Sequence, residues 1–376
     1  SALSKAVGDP EQQIRSAEIF AICRLGAEAI PAVAKALSSS DVRTREEAAI
    51  ALGEMGATAV PSLVKALGDG AAEVRQAAAD GLEKIGPDAA GALPALTKAL
   101  TDAEASVRHE VVCALKRIGA ASTPALIRAL SDKDASVRSE AANALGSIRA
   151  PARAGIPALA KALSDQDDIV RLCASAALVE MGAEVVSVLP ALERAASDPS
   201  AGVRANSLTA LGQGAPSTIP VIAKALRDSD EGIRLCAIGV LAKTGQEEAV
   251  PEVAKGLSDS SVTVRRASAS LLGEMGSIAS EAVTSLLASA KDDDSEVQTR
   301  VVESLGRIGS DAVPALVELL KDERGWYRVR VIETLQYMKT SAQHALPALE
   351  AALHDPDDQV QRAARNALPW IRGDYK

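Results

Sequence analysis

Small and apolar residues recur along this chain in short blocks at i, i+3, i+4 and i+7. Each block is followed by a glycine, a brief polar or alanine-rich link and a second, proline-led block. In VRQAAADGLEKIG (74–86) this spacing gathers the apolar positions on one face, which predicts an amphipathic helix. Gly26, Gly56, Gly86, Gly119 and Gly182 close such blocks, at the place where the residue after a helix often takes positive φ. PALTKALTD (94–102) predicts a second helix with proline in its first turn, where no helical N–H is lost. Pro31, Pro61, Pro94, Pro124, Pro157, Pro190, Pro220, Pro251, Pro314 and Pro347 recur at this point, and Thr284 breaks the series.

The helix pairs form a long repeat. The run D-x4-V-R ends at Arg15, Arg45, Arg75, Arg108, Arg138, Arg171, Arg204, Arg234, Arg265, Gln298, Arg328 and Gln361, in steps of 30 or 33 residues with one of 31. The three-residue difference lies in the link between the helices, short in GATAVP and longer in GPDAAGALP. Two helices of this size cannot bury their apolar faces alone, so neighbouring pairs must stack. The expected fold is all-α, a single domain over 1–376 built from about 11–12 stacked helix hairpins. Residues 1–9 read as the second helix of a truncated repeat, 10–360 as eleven full repeats and 361–376 as a final half repeat or cap. A chain that opens and closes inside a repeat suits a piece of a longer protein.

Composition narrows the chemistry. The 376 residues carry 41 Lys+Arg and 50 Asp+Glu, a net charge of −9. Only Phe20, Trp326, Tyr327, Tyr337, Trp370 and Tyr375 are aromatic, so the core is expected in thin layers of Ala, Leu, Val and Ile. No run of 18 apolar residues predicts membrane insertion. Cys23, Cys113, Cys173 and Cys236 show neither disulfide nor zinc spacing and read as buried thiols of a reducing compartment, so a cytoplasmic location is expected.

The unit resembles the HEAT repeat, in the short variant named after phycobilisome lyases, over essentially the whole chain. The resemblance implies a right-handed α-solenoid with first helices on the convex side and second helices lining the concave side. It also raises an alternative, a cofactor- or chromophore-handling enzyme subunit. Such a subunit would be similar either to the phycobilin lyases or to the HEAT-type oxidoreductases that bind two irons through several His-Glu pairs. Here His109-Glu110 is the one such pair, His344 and His354 have no Glu after them, and no lyase residue maps onto the chain. No catalytic residue, metal or cofactor is therefore expected, and His109 reads as a surface histidine.

Three constellations remain. Asp69, Asp102, Asp132, Asp165, Asp198 and Asp228 each stand six residues before Arg75, Arg108, Arg138, Arg171, Arg204 and Arg234. One pair per repeat predicts a structural ladder, with Asp as a helix N-cap and Arg bridging to its own or the next repeat. A second stripe, Lys5, Lys35, Lys65, Lys98, Arg128, Lys161, Arg194, Lys224 and Lys255, holds one exposed position of consecutive second helices and then gives way to Ala288, Glu318 and Ala351. This cationic row suits an acidic segment of a protein partner. Negative overall charge and the lack of interleaved aromatics argue against nucleic acid. The third is aromatic: Tyr337 and Trp370 share one repeat position, and Trp326 stands at a loop position. The expected function is a non-enzymatic protein-interaction scaffold that binds along its concave face, with these aromatics as an apolar anchor.

Overall fold

The computed structural model describes residues 26–214 and 216–374, save for the side chains of 26, 27, 183 and 184. The expected helix at 1–9, with Lys5, lies outside them, as do Arg15, Phe20, Cys23 and Tyr375. All regular structure among the described residues is helical. Long helices such as Val42–Glu54, Ala72–Ile85 and Ala105–Ile118 alternate with short ones such as Val60–Ala66, Leu93–Ala99 and Thr123–Ala129. The two repeat lengths have a simple origin. Counted from the closing glycine, the link is four residues at 56–59, with a 3-10 turn at Ala57–Ala59, and seven at Gly86–Ala92.

The chain divides into two compact units, 1–195 and 196–376, and each is a stack of helix hairpins of the α-solenoid class. In the first unit, Leu52, Leu82, Leu115, Leu145 and Leu178 of the long helices meet Leu63, Leu96, Leu126, Leu159 and Leu192 of the short ones, all fully buried. In the second, Leu211, Leu241, Leu272, Leu305 and Leu335 play the first part, and Ile222, Val253, Leu286, Leu316 and Leu349 the second. Burial of such a side chain contributes about 1.5–3 kcal/mol. Buried Ala and Val around each pair, such as Val107, Val111, Val112 and Ala114 beside Leu115, complete the layer where aromatics are scarce. Among the described residues, no helix is long and apolar enough to cross a membrane.

The two helix layers differ in spacing. Long helices touch almost backbone to backbone: a Cβ on Gly53 would lie 2.5 Å from Gly81 Cα, and one on Gly273 2.8 Å from Ser304 Cα. In the second unit, clefts open between the short helices Ile219–Lys224, Val250–Lys255 and Val283–Ser289. The cationic row stands on the short helices.

The helix caps also differ from expectation. The ladder aspartates are not N-caps; the cap falls two residues later. Asp41, Asp134, Asp167, Asp230, Asp294 and Asp357 accept from amides in the first turns of their helices. The ladder carboxylate instead accepts from the cap residue's own N–H, as Asp69 does from Ala71 at 2.9 Å and Asp132 from Asp134 at 2.8 Å.

Candidate partner-binding surface

Freed from capping, most ladder carboxylates turn to the preceding repeat. Arg108 Nε and Nη2 donate to the two oxygens of Asp132 at 2.7 and 2.8 Å, while Nη1 donates to the carbonyls of Asp102 and Ala103 in its own loop. One guanidinium thus ties two consecutive loops. The same fork joins Arg45 to Asp69, Arg75 to Asp102 and Arg138 to Asp165 in the first unit. In the second it joins Arg234 to Asp259, Arg265 to Asp292 and Arg328 to Asp355, while Arg204 pairs with Asp228 through a single hydrogen bond from Nη2 at 3.0 Å. Arg171 binds its own loop carbonyls at Asp165 and Gln166, and Asp198 accepts from the Ser200 amide. The guanidinium hydrogen bonds hold Asp69, Asp102 and Asp259 below the usual carboxylate range and raise Arg45, Arg75 and Arg234 in turn.

Gln298 shows what happens where the fork is lost. Its side-chain Oε1 accepts from Arg324, a loop neighbour of Asp322, at 2.6 Å. Arg324 then grips Asp322 with two bonds of 2.8 Å, replacing the missing arginine from the other side of the carboxylate. Its guanidinium also lies over the rings of Trp326 and Tyr327, 5.4 and 4.7 Å from their centroids. Trp326 is therefore not a loop residue: it stands in the first turn of Gly325–Met338, half exposed and edge-on to Tyr327. Tyr327 is fully buried with its hydroxyl unpartnered, and burial pushes its pKa up to about 12.

The cationic row is a surface feature throughout. Lys35, Lys65, Lys98, Arg128, Lys161 and Arg194 of the first unit are exposed, as are Lys224 and Lys255 of the second. Unlike the ladder arginines, Lys65, Lys98, Arg128, Lys161, Arg194 and Lys224 have no ion-pair partner among the described residues; Lys255 binds Glu252 at 2.7 Å. In the second unit, a cleft of about 410 Å³ between Ile219–Lys224 and Val250–Lys255 is rimmed by Lys224, Arg227 and Lys255 over Leu226 and Ile238.

The aromatics do not join this row. Tyr337, 80% exposed, and Trp370, half-buried, project from long helices, whereas the row belongs to short ones. Tyr337 lines a 410 Å³ depression with Arg307, Arg330, Glu303 and Glu333, and Lys339 lies over the Trp370 ring at 5.9 Å. Cations and aromatics thus stand on different helices of the repeat.

One cluster escaped sequence reading. His109 is half-buried, and its Nδ1 lies 3.8 Å from Cys113 Sγ. Glu110 meets Asp80 and Glu83 of the neighbouring long helix. Burial raises the Glu110 carboxyl, with Glu83 and Asp80 adding to it. Burial likewise pushes the Cys113 thiol up to about 12. The i,i+4 spacing of His109 and Cys113 was a legible signal; the carboxylates come from another repeat and were not.

Hairpins stacked with arginine–aspartate pairs tying most consecutive loops define a helical-repeat protein. The family model for HEAT repeats matches residues 1–83, 93–178, 123–212, 188–273, 219–303, 250–336 and 283–369, and the chain belongs to that family. No curated protein matches the sequence. Among solved structures, the chain is similar to an engineered protein from the Northeast Structural Genomics Consortium. The two share 23% identity with a TM-score of 0.52, over 91% of this chain and 98% of the other. It is also similar to Kap95p, solved with RanGDP in a study of nuclear import complexes. That match has 15% identity and a TM-score of 0.54, over 100% of this chain and 60% of that one. Both likenesses concern the fold.

Proposed function

We propose that the protein is a non-enzymatic scaffold that presents a concave face lined by its short helices to an acidic segment of a protein partner. The observation that carries this is the contrast between two sets of cations. The ladder arginines are consumed internally, while Lys65, Lys98, Arg128, Lys161, Arg194 and Lys224 repeat at one per hairpin, exposed and unpaired. Such a row steers and registers an extended acidic chain, each rim charge adding modestly to affinity. Kap95p, a neighbour in fold, engages a protein, RanGDP. Repeats of 30 and 33 residues support the short, phycobilisome-lyase-like variant, and the free thiols of Cys113, Cys173 and Cys236 support a cytoplasmic setting.

The test is partner capture from the source lysate at low and high salt, comparing wild type with Lys98→Glu/Lys161→Glu/Lys224→Glu. Loss of a partner in the variant and at high salt, with unchanged helicity, is the expected result. A partner held equally by both would move the binding surface to Trp326, Tyr337 and Trp370.

A further inference from the structure

We propose that the long helices Ala72–Ile85 and Ala105–Ile118 hold a single Zn2+-class ion on His109, Glu110 and Cys113, with a carboxylate of Asp80 or Glu83 closing the fourth position. Two sets of potential ligand atoms meet here, His109/Glu110/Cys113 and Asp80/Glu83/Glu110, each within 4.8 Å and sharing Glu110. His109 and Cys113, one helical turn apart, project in the same direction. Tetrahedral zinc, with Zn–N of about 2.1 Å and Zn–S of about 2.3 Å, separates such donors by about 3.6 Å. The 3.8 Å seen here needs almost no adjustment.

The charge balance points the same way. Asp80, Glu83, Glu110 and Glu140 surround the cluster. The cations nearby are already engaged, Lys116 with Glu140 at 3.0 Å and Lys84 with Glu54 at 3.1 Å and Asp80 at 3.2 Å. Imidazole and thiolate beside carboxylate select a zinc-like ion over calcium or magnesium, which take oxygen ligands. On binding, Cys113 releases its proton to solvent and becomes a thiolate ligand. The ion would clamp two consecutive long helices and leaves the cationic row untouched. It is a single-ion site across two helices, unlike an arrangement of several His-Glu pairs.

The experiment titrates the full, chelator-treated chain with Co2+ and then Zn2+. Expected are visible d–d bands and a near-ultraviolet thiolate charge-transfer band saturating at one Co2+ per chain, both bleached by Zn2+. Cys113→Ser removes the charge-transfer band. His109→Ala weakens Zn2+ binding by at least about tenfold, with circular dichroism unchanged for both variants. Absence of saturable binding overturns the proposal, as does a charge-transfer band that survives Cys113→Ser and so reports another thiol. Both variants should still capture partner as wild type does, so this site and the scaffold reading fail independently.

Discussion

Arg108 and Asp132 form a two-pronged ion pair across consecutive loops, with bonds of 2.7 and 2.8 Å and side chains only 3% and 8% exposed. Arg43 and Glu47 pair at 3.2 Å on the surface of one helix, with the arginine 64% exposed. The difference in burial decides what each contributes.

Removing one partner of a buried pair strands the other charge, so Arg108→Ala should destabilise by about 3–5 kcal/mol. Arg43→Ala should change stability by less than about 1 kcal/mol. Urea midpoints of the two variants check this, and equal midpoints would contradict it.

The ladder also sets the acid response. Asp69, Asp102 and Asp259 have depressed folded-state pKa values because arginine forks hold them, against an ordinary value of 3.8. Their contribution is complete above 3.8. Below it the unfolded chain takes up protons first, and stability falls until the folded carboxylates protonate too. Urea midpoints should therefore drop as pH falls below about 4, and less steeply in Asp102→Asn. A variant with the wild-type slope would show that Asp102 is not among the responsible groups.

The close approach of the long helices rests on missing side chains. Gly53→Ala places a methyl 2.5 Å from Gly81 Cα, a backbone atom that cannot step aside. A loss of about 1–3 kcal/mol follows. Gly91, where an added methyl would meet nothing within 4 Å, is the matched control, and Gly91→Ala should be near neutral. Thermal midpoints of the pair distinguish steric clash from a general intolerance of alanine.

Where other repeats end the long helix on glycine, Arg149 holds φ 61° and ψ −141°, a region nearly reserved for glycine. Arg149→Gly removes that strain and should stabilise by about 1 kcal/mol, less the small contribution of its exposed pair with Glu180. Lys339, at φ 52°, should gain less because it also lies over Trp370. Destabilisation by Arg149→Gly would mean that its exposed pair outweighs the backbone strain.

Helix periodicity, the proline and glycine punctuation and the 30/33-residue register were all written locally, so hairpins, links and stacking were legible in the chain. Each rests on residues within a few positions of one another. Which loop each arginine ties was not local: Arg108 reaches 24 residues ahead, to Asp132. Nor could the chain order reveal that Arg324 stands in for the fork Gln298 cannot make. The sequence placed cations and aromatics on neighbouring helices of one repeat. Packing alone set how closely the long helices approach, backbone against backbone at Gly53 and Gly81. The meeting of Asp80 and Glu83 with Glu110 is likewise a product of stacking, since ligands drawn from two repeats converge only after the hairpins dock.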